Sequence, residues 1–568
     1  MHSSMREVDK QELISIIAVF ATVMSLIIFV FLPSFFLISF TFTKWSDIYN
    51  EVFANAFIKD ENWIQIQRHL ALSLRIALFT VILDFLFGIP LAYLLARRRF
   101  PGKALLEDII TFPLVIPTSG FGFASLITWT GITGLGMLLG RGIVEANYLI
   151  PFVNIPFLIL VVHVALTFPY IVRTLQAKLE DLEPVFEQAS RTLGASSLTT
   201  FRRIVFPLSL PAIFSGGVLA FARSLGETGA TMVVASIYTT APLAIVRWVF
   251  EFKFASASFL GCILIVIASA AILPIEFFMQ KRGIMALPSL FSALRVERKI
   301  LRRERFASRR MAWIKDFLGL TAIVLLVIVP VAVVLNSVAL SWAHDPYTGE
   351  IEKGVLYQLF GPSNYFSTLL RATLVSVTAA FISTYVATCI AIPSVYLIER
   401  YKPGRLIRSL LRIPLIVPTS ALGLSVLLLW GPGGLKLVNP GIWLIILTHI
   451  VFSVPVVVEP TIAAFEGSEI PMYEGAARTL GAAPYDAVET ISLPLLKRGI
   501  LAGVILSFTH SLGETGATFL VMGSDVTIPP LVVNMVEALA IPAALFASAY
   551  LIALSLILLF IFRVVTKK

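Results

Sequence analysis

Long apolar runs separated by short polar loops follow one another along almost the whole chain. A helix needs about 20 apolar residues to cross a bilayer, and twelve runs come close to that length or exceed it. They lie at about 13–41, 70–96, 105–133, 150–172, 206–235, 255–278, 316–341, 367–397, 406–430, 441–458, 495–522 and 542–562. The pattern predicts an all-α polytopic membrane protein with twelve transmembrane helices.

The first run is longer than a secretory signal, and no Ala-x-Ala cleavage site follows it. We therefore expect it to remain in the protein as a membrane span. The overall composition agrees, because 58% of the residues are hydrophobic and only 14% are charged. These values exclude an ordinary soluble globular domain.

Basic residues concentrate in alternate loops, which accounts for the net charge of +10. Arg97, Arg98, Arg99 and Lys103 follow the second run, and eleven basic residues lie at 281–315. This alternation predicts a multi-pass protein of the cell membrane with both termini and the central linker in the cytoplasm. A nucleic-acid partner is disfavoured, because a basic patch needs a folded domain to present it.

The chain repeats itself. Glu187–Thr231 and Glu474–Thr518 share 22 of 45 residues, and both end in Ser-Leu-Gly-Glu-Thr-Gly-Ala-Thr. A Pro-Gly turn and a Pro-Thr-Ser segment recur upstream in each half. Six runs per half make the repeats parallel, and parallel repeats enclose a pathway between them.

These repeats divide the chain into two halves of six spans each. We predict a first half at 1–279, a cytoplasmic basic linker at 280–315 and a second half at 316–568. The corresponding cytoplasmic loops lie at 173–207 and 459–494.

Each cytoplasmic loop carries a Glu, an Ala two residues later and a Gly seven residues after the Glu. The positions are Glu187, Ala189 and Gly194 in the first copy and Glu474, Ala476 and Gly481 in the second. We expect a short helix that the Gly ends in the left-handed conformation, with the small Ala allowing close approach of a partner. Arg191 and Arg478, four residues after each Glu, can pair with it or with the partner. The alternative is an ordinary cytoplasmic turn.

The octapeptide places a carboxylate within an apolar run, where a charge without a partner is costly and a functional role is the default interpretation. The candidate gate positions are Arg223, Gly226, Glu227 and Thr228 in the first copy and His510, Gly513, Glu514 and Thr515 in the second. Arg223 has the i,i+4 spacing for an ion pair with Glu227. His510 takes that place before Glu514, so this pairing is weaker or sensitive to pH. The segment is either a lock between helices or a gate that lines the pathway.

The third run of each half contains prolines that interrupt helical hydrogen bonding. Hydroxyl residues follow directly, namely Thr118, Ser119, Thr419 and Ser420. These hydroxyls satisfy the freed backbone groups or donate to a passing anion, so they are possible pathway residues.

The remaining polar residues within spans have structural interpretations. His163 and His449 are expected to be buried, hydrogen-bonded imidazoles rather than ligands. Cys262 and Cys389 lie in separate runs and indicate neither a disulfide nor a metal site. No Gly-x-x-x-x-Gly-Lys-[Ser/Thr] phosphate loop occurs in the sequence, so ATP and its Mg²⁺ are expected on another chain, and this chain is expected to bind no cofactor.

The repeated loop resembles the docking loop of ABC-importer permeases, and the resemblance covers about 70–278 and 367–563. It implies the type I importer permease fold, in a fused form similar to ferric-iron and thiamine permeases. The octapeptide instead resembles the Leu-Gly-Glu-Phe-Gly-Ala segment of molybdate, tungstate and sulfate permeases, with Thr228 and Thr515 in place of Phe. The Arg-x-x-Gly-Glu pattern is similar to one in phosphate permeases.

The resemblance implies a translocation subunit, not an enzyme. Two copies of an ABC ATPase would dock on it, and an extracytoplasmic binding protein would deliver a small solute. Molybdate, tungstate or sulfate is the expected substrate, followed by phosphate, and ferric iron or thiamine is the alternative. A secondary transporter that needs no ATPase is the alternative of another class, and the paired docking loops disfavour it.

Overall fold

The computed structural model describes residues 16–55, 57–131, 134–135, 143–281, 314, 316–346 and 348–567. The predicted basic linker at 280–315 lies almost entirely outside these described residues. The chain outside helices includes one small hairpin, in which β1 (Leu149–Ile150) pairs antiparallel with β2 (Ile155–Pro156).

Helices account for most of the first half. They are α1 (Ile16–Thr43), α2 (Glu61–Arg97), α3 (Lys103–Leu114), α4 (Thr118–Thr130), α5 (Phe157–Asp181), α6 (Val185–Thr192), α7 (Ser197–Gly226), α8 (Gly229–Val234), α9 (Ala241–Phe250) and α10 (Phe254–Lys281). Short helical turns at Trp45–Ile48 and Tyr49–Phe53 join α1 to α2.

The second half repeats this order of long and short helices. They are α11 (Asp316–Leu340), α12 (Val355–Phe360), α13 (Tyr365–Arg400), α14 (Gly404–Ile416), α15 (Thr419–Trp430), α16 (Ile442–Gly467), α17 (Ile470–Thr479), α18 (Pro484–Gly513), α19 (Gly516–Val521), α20 (Ile528–Glu537) and α21 (Ile541–Lys567).

Ten of these helices in the described part of the chain are long and apolar enough to cross a membrane. Two bent pairs, α3 with α4 and α14 with α15, bring the number to twelve if each pair is one span. The prediction of an all-α multi-pass protein is thereby confirmed. The bends measure 105° and 103° and fall just before Thr118 and Thr419. Pro117 and Pro418 hold extended backbone there, because proline has no N–H for a helical bond.

The prediction of continuous spans at 206–235 and 495–522 is wrong. Helix α7 ends at Gly226, and helix α18 ends at Gly513. Glu227 and Glu514 are extended, with ψ of 120° and 128°, before the short helices α8 and α19 begin. The chain therefore breaks inside each octapeptide, at the glutamate.

The halves interlock, because the first helix of each packs on the other half. Helix α1 lies against α15, and the Ser425 hydroxyl donates to the backbone oxygen of Pro33. Helix α11 packs in the same way on α4. The two bent pairs are thus enclosed by helices from both halves, which places their bends in the interior.

The predicted cytoplasmic loops are more helical than expected. Helix α5 continues eight residues beyond Arg173 before it ends at Asp181. After α6, Gly194 has φ of +85°, and Gly481 after α17 has φ of +94°. The prediction that these glycines end their helices in the left-handed conformation is confirmed.

Candidate functional site: a gate between the two halves

The two octapeptides meet at the centre of the interface between the halves. A Cβ added to Gly229 would lie 2.6 Å from Thr515 Oγ1 of the other half and would also overlap Thr118 Oγ1. In the mirrored contact, a Cβ on Gly516 would lie 2.9 Å from Thr228 Oγ1 and 2.9 Å from Thr419 Oγ1. Only glycine permits this approach, so the two segments are in direct contact at these positions.

The proline bends complete the contact. A Cβ on Gly226 would lie 3.1 Å from the Cα of Pro418, and one on Gly513 would lie 3.1 Å from the Cα of Pro117. Each octapeptide therefore packs on the bent pair of the opposite half. We call this arrangement of the two octapeptides and the two Pro-Thr-Ser bends the gate.

Each glutamate of the gate caps the short helix that follows it. The backbone N–H of Ala230 donates to Glu227 Oε1 at 3.0 Å, and that of Ala517 donates to Glu514 Oε1 at 3.0 Å. Such a bond satisfies one of the free N–H groups at a helix start. Both glutamates are buried, so the capping bond holds the carboxylate inside the gate.

The charges around the two carboxylates differ. Arg223 Nη2 lies 2.7 Å from Glu227 Oε2, which confirms the ion pair predicted from their spacing. The described residues contain no ion pair between His510 and Glu514, and His510 Nδ1 has no hydrogen-bond partner among them. The His510 ring instead packs edge-on against Phe452, with ring centroids 4.7 Å apart. The predicted pairing of His510 with Glu514 is wrong, because Phe452 supplies an apolar contact for the ring.

A cavity of about 40 Å³ borders the gate and holds space for a few water molecules. Polar and charged side chains from both halves line it, namely Thr118, Tyr170, Arg223, Glu227, Thr419, Thr509, His510 and Glu514. Arg223 is the one Lys or Arg among these described lining residues. The cavity thus combines one cation, two carboxylates and several hydroxyls in an apolar surrounding.

The serines beside the bends do not have the predicted backbone-satisfying role. Ser119 and Ser420 are fully buried, and their hydroxyls have no hydrogen-bond partner among the described residues. The neighbouring Thr118 and Thr419 face the cavity and the glycines of the gate.

His163 and His449 are buried and hydrogen-bonded, as predicted, but their partners lie in the gate. His163 Nδ1 is 2.8 Å from Ser224 Oγ, and Nε2 is 2.9 Å from Thr231 Oγ1. His449 contacts Ser511 and Thr518 in the same way, at 2.6 and 2.9 Å. Each imidazole therefore bridges the first and last residues of an octapeptide, a connection that the sequence pattern did not indicate.

The loop glutamates face inward. Glu187 Oε1 accepts from Arg97 Nε at 2.7 Å, and Oε2 accepts from the Tyr93 hydroxyl at 2.9 Å. Of the two partners predicted for Arg191, Glu187 is excluded, since its carboxylate turns toward the end of α2. Pairing of Arg191 with a partner protein stays a prediction. Arg191 is exposed.

The second copy uses the same arrangement with one exchanged partner. Glu474 accepts from Arg400 at the end of α13 and from the Ser492 hydroxyl, and Arg478 is exposed. These glutamates therefore fasten helices α6 and α17 to the membrane helices of their own half.

The outer faces of α6 and α17 are apolar and exposed. Leu193 and Leu480, the residues before the left-handed glycines, are each 89% exposed. The remaining members of these faces are Val185 and Phe186 in α6 and Met472 and Tyr473 in α17. Ala189 and Ala476 are also exposed. Exposed apolar patches of this kind mark contact surfaces for other proteins.

Comparison with known proteins identifies the family to which the chain belongs. Residues 88–281 match the family described as binding-protein-dependent transport system inner membrane component. A probable sulfate transport system permease protein of Chlorokybus atmophyticus is 31% identical over 209 residues, which cover 36% of this chain and 71% of that protein. The chain belongs to the ABC-importer permease family.

Bacterial relatives of the permease have similar names. A molybdenum transport system permease protein of Escherichia coli strain K12 is 37% identical over 178 residues, covering 29% of this chain and 70% of that protein. A sulfate transport system permease protein of Salmonella typhimurium is 37% identical over 166 residues, covering 29% of this chain and 57% of that protein.

The permease also carries a hydrogen-bonded contact of charged side chains that sequence reasoning missed. In the first half, Arg173 of α5 donates to the Glu107 backbone oxygen and to the Thr111 hydroxyl, both in α3. In the second half the long helix carries the acceptor, and Glu459 of α16 accepts from Arg408 and Arg412 of α14. The two long helices are therefore fastened to their neighbours with opposite polarity. No group of three or more His, Cys, Asp or Glu side chains suited to a metal occurs in the part of the permease that the structure describes.

Proposed function

We propose that this chain is the translocation subunit of an ATP-driven importer of small tetrahedral oxoanions. Molybdate, tungstate or sulfate is the preferred substrate, ahead of phosphate. An extracytoplasmic binding protein delivers the anion, and two copies of a separate ATPase chain bind and hydrolyse ATP with Mg²⁺. The observation that carries the proposal is similarity to both sulfate and molybdenum permeases, together with a gate cavity whose lining includes Arg223.

Arg223 and the hydroxyls of the cavity favour an anion, whereas the carboxylates of Glu227 and Glu514 repel one unless they are neutralised. An oxoanion needs hydrogen-bond donors and positive charge in a site of low polarity. Arg223 supplies the positive charge, and the hydroxyls of Thr118, Thr419 and Tyr170 supply donors. Glu227 keeps Arg223 neutralised until the anion arrives, and a cation pathway would instead have to pass the Arg223 guanidinium.

The ATPase is proposed to dock on the apolar faces of α6 and α17. Glu187, Gly194, Glu474 and Gly481 then set the position of these helices, while Ala189 and Ala476 permit close approach. Leu193 and Leu480 are the proposed central contacts, because they project at the point where each helix ends. Docking requires these faces, the linker and both termini to lie in the cytoplasm, as the distribution of basic residues predicts.

The gate is proposed to alternate between a closed state and a state that is open to the outside. Closure of the ATPases would draw α6 and α17 together and separate the octapeptides, so that Thr228 and Thr515 part. The gate residues Gly226, Gly513 and Glu514 would then move with the octapeptides and admit the anion from outside. Ser119 and Ser420, whose buried hydroxyls have no described partner, are possible additional donors along this route.

Uptake by the complete transporter, reconstituted in liposomes with its ATPase and binding protein, tests the proposal. Uptake of radiolabelled molybdate or sulfate should require ATP on the side of the vesicle membrane where the ATPase is bound. An excess of the other oxoanions should compete, whereas ferric iron and thiamine should not. Competition by ferric iron or thiamine, with no effect of any oxoanion, would overturn the substrate class. Uptake without ATPase would instead indicate a secondary transporter.

A further inference from the structure

Two buried histidines hold the gate in shape from the side. His163 and His449 are 2% and 1% exposed, and each uses both ring nitrogens in contacts to hydroxyls of an octapeptide. A neutral imidazole has one donor and one acceptor, which suits two hydroxyl partners that can each play either part. Neither imidazole lines the cavity, so neither is proposed to contact the anion directly.

The two partners of each imidazole lie on opposite sides of the helix break. Ser224 belongs to the last turn of α7, and Thr231 belongs to the first turn of α8. The break between them has no helical hydrogen bonds across Glu227 and Thr228, and it is where the chain has freedom to change direction. The imidazole of His163 therefore joins the end of α7 and the start of α8 to a third helix, α5.

Helix α5 also leads directly to the surface proposed to bind the ATPase. It runs from Phe157 to Asp181 as one element, and helix α6 begins four residues later. His163 lies 18 residues before Asp181, which corresponds to about 27 Å along a helix. Helix α16 repeats the arrangement from His449 to Gly467, followed by α17 at Ile470. A displacement of α6 or α17 thus has a helical path to the gate.

We propose that His163 and His449 are positioning residues that couple movement of the docking helices to opening of the gate. Each acts as a staple, and we use this word for the imidazole with its Ser and Thr partners. When α5 or α16 moves, the staple moves the residues on both sides of the helix break together. The whole octapeptide then shifts away from the opposite half. The coupling role rests on the proposed function, because it assumes that α6 and α17 receive the ATPase.

Additional contacts distinguish the staple of each half. The Thr167 hydroxyl lies 2.6 Å from Asp84 Oδ2, which ties α5 to α2 one turn after His163. In the second half the Ser511 hydroxyl lies 3.2 Å from Ser383 in α13. Both staples are thus anchored to the second membrane helix of their half, by different groups.

The test replaces His163 and His449 by Ala, separately and together, in the complete reconstituted transporter. Loss of a buried hydrogen bond of this kind changes an equilibrium by on the order of tenfold. We expect the ions transported per ATP hydrolysed to fall on the order of tenfold, with ATP hydrolysis itself retained. Thr448→Val is the matched control, because Thr448 adjoins His449, is fully buried and bonds only to its own helix at Leu444.

Conservative variants separate coupling from mere packing. His163→Asn places an amide where Nδ1 lies and should keep the Ser224 contact, whereas His163→Gln should keep the Thr231 contact. Each is expected to recover part of the transport per ATP. Ser224→Ala combined with His163→Ala should be no worse than His163→Ala alone, since both remove the same bond. Additive losses, or equal losses in Thr448→Val, would overturn the staple.

A second readout does not depend on the substrate. In a background with Cys262→Ser and Cys389→Ser, the Thr515→Cys variant should react with a small thiol reagent at different rates in the nucleotide-free and ATP-trapped complex. His163→Ala with His449→Ala should abolish this difference, and its persistence would overturn the proposal. If the unaltered transporter takes up no oxoanion, the proposed function fails, and this labelling result alone decides the staple.

Discussion

The two octapeptides contain the same eight residues, yet they operate in different electrostatic surroundings. Both break at glutamate, both cap a short helix, and both are bridged by a histidine. Only the first has an arginine at the i−4 position, where the second has His510 against Phe452. The steric part of the gate is therefore symmetric, while its charge is concentrated on one side.

This difference shows which features both octapeptides need and which feature only one of them has. Close approach needs glycine on both sides, because each octapeptide receives a threonine of the other. In the proposed function one cation suffices, since a single anion can be held from one side. The carboxylate of the second half, Glu514, is held by the backbone N–H of Ala517 and has no arginine beside it in its own octapeptide.

The first prediction concerns the symmetric part and should have the largest effect. Gly229→Ala and Gly516→Ala each place a methyl group against a threonine of the opposite half. Overpacking of this kind costs about 2–3 kcal/mol, so we expect uptake to fall on the order of 30–100-fold in both variants. Gly467→Ala is the control, because the space around a Cβ there is open. Unequal effects of the two gate variants would contradict the description of the gate as sterically symmetric.

The second prediction concerns the asymmetric part. Arg223→Gln leaves Glu227 buried without its cation and removes the charge for the anion, which should cost about 2 kcal/mol. Uptake should therefore fall on the order of 30-fold. His510→Gln should change uptake by roughly twofold, since His510 pairs with no carboxylate among the described residues. Initial rates of uptake measure both variants, and equal losses would contradict the single-cation description.

The third prediction concerns the docking helices. Glu187→Ala and Glu474→Ala remove the anion that fastens each helix to its half and leave an arginine unpaired. We expect the ATPase to dissociate on the order of tenfold more readily, or about 1–2 kcal/mol. Binding of purified ATPase to the permease in nanodiscs measures this. Glu352→Ala, at an exposed carboxylate between α11 and α12, should bind normally, and a loss there as large as in Glu187→Ala would contradict the inward role of the glutamate.

The smallest effect is predicted for the contacts with exchanged polarity. Glu459→Arg places a third positive charge beside Arg408 and Arg412. We expect the free energy of unfolding to decrease by about 1 kcal/mol, because the contact is partly exposed. Glu459→Arg with Arg412→Glu should regain part of this loss in thermal unfolding. A double variant no more stable than the single one would show that charge does not define this contact.

Local signals in the sequence predicted local structure well. Periodicity gave the spans, Pro117 and Pro418 indicated the bends, and the i,i+4 spacing indicated the Arg223–Glu227 pair. Gly194 was correctly interpreted as a helix stop because a left-handed residue is a local requirement. In each of these cases the determining residues lie within one or two helical turns of each other.

Contacts between distant parts of the chain were not predictable in this way. The partner of Glu187 is Arg97, 90 residues away, and not Arg191 in the same short helix. The break inside each octapeptide was missed because its apolar neighbours continue the run across Glu227. The staple of His163 likewise depends on how α5 packs beside α7, which no local pattern specifies.

Disulfide cross-linking across the gate tests the central claim most directly. Thr228 and Thr419 belong to opposite halves, and both hydroxyls lie 2.9 Å from the Cβ position of Gly516. With both residues replaced by Cys in a background lacking Cys262 and Cys389, we predict efficient cross-linking without nucleotide and little in the ATP-trapped complex. The cross-linked transporter should also be inactive until it is reduced. Equal cross-linking in both states, with full uptake by the cross-linked protein, would contradict a gate formed by the two octapeptides.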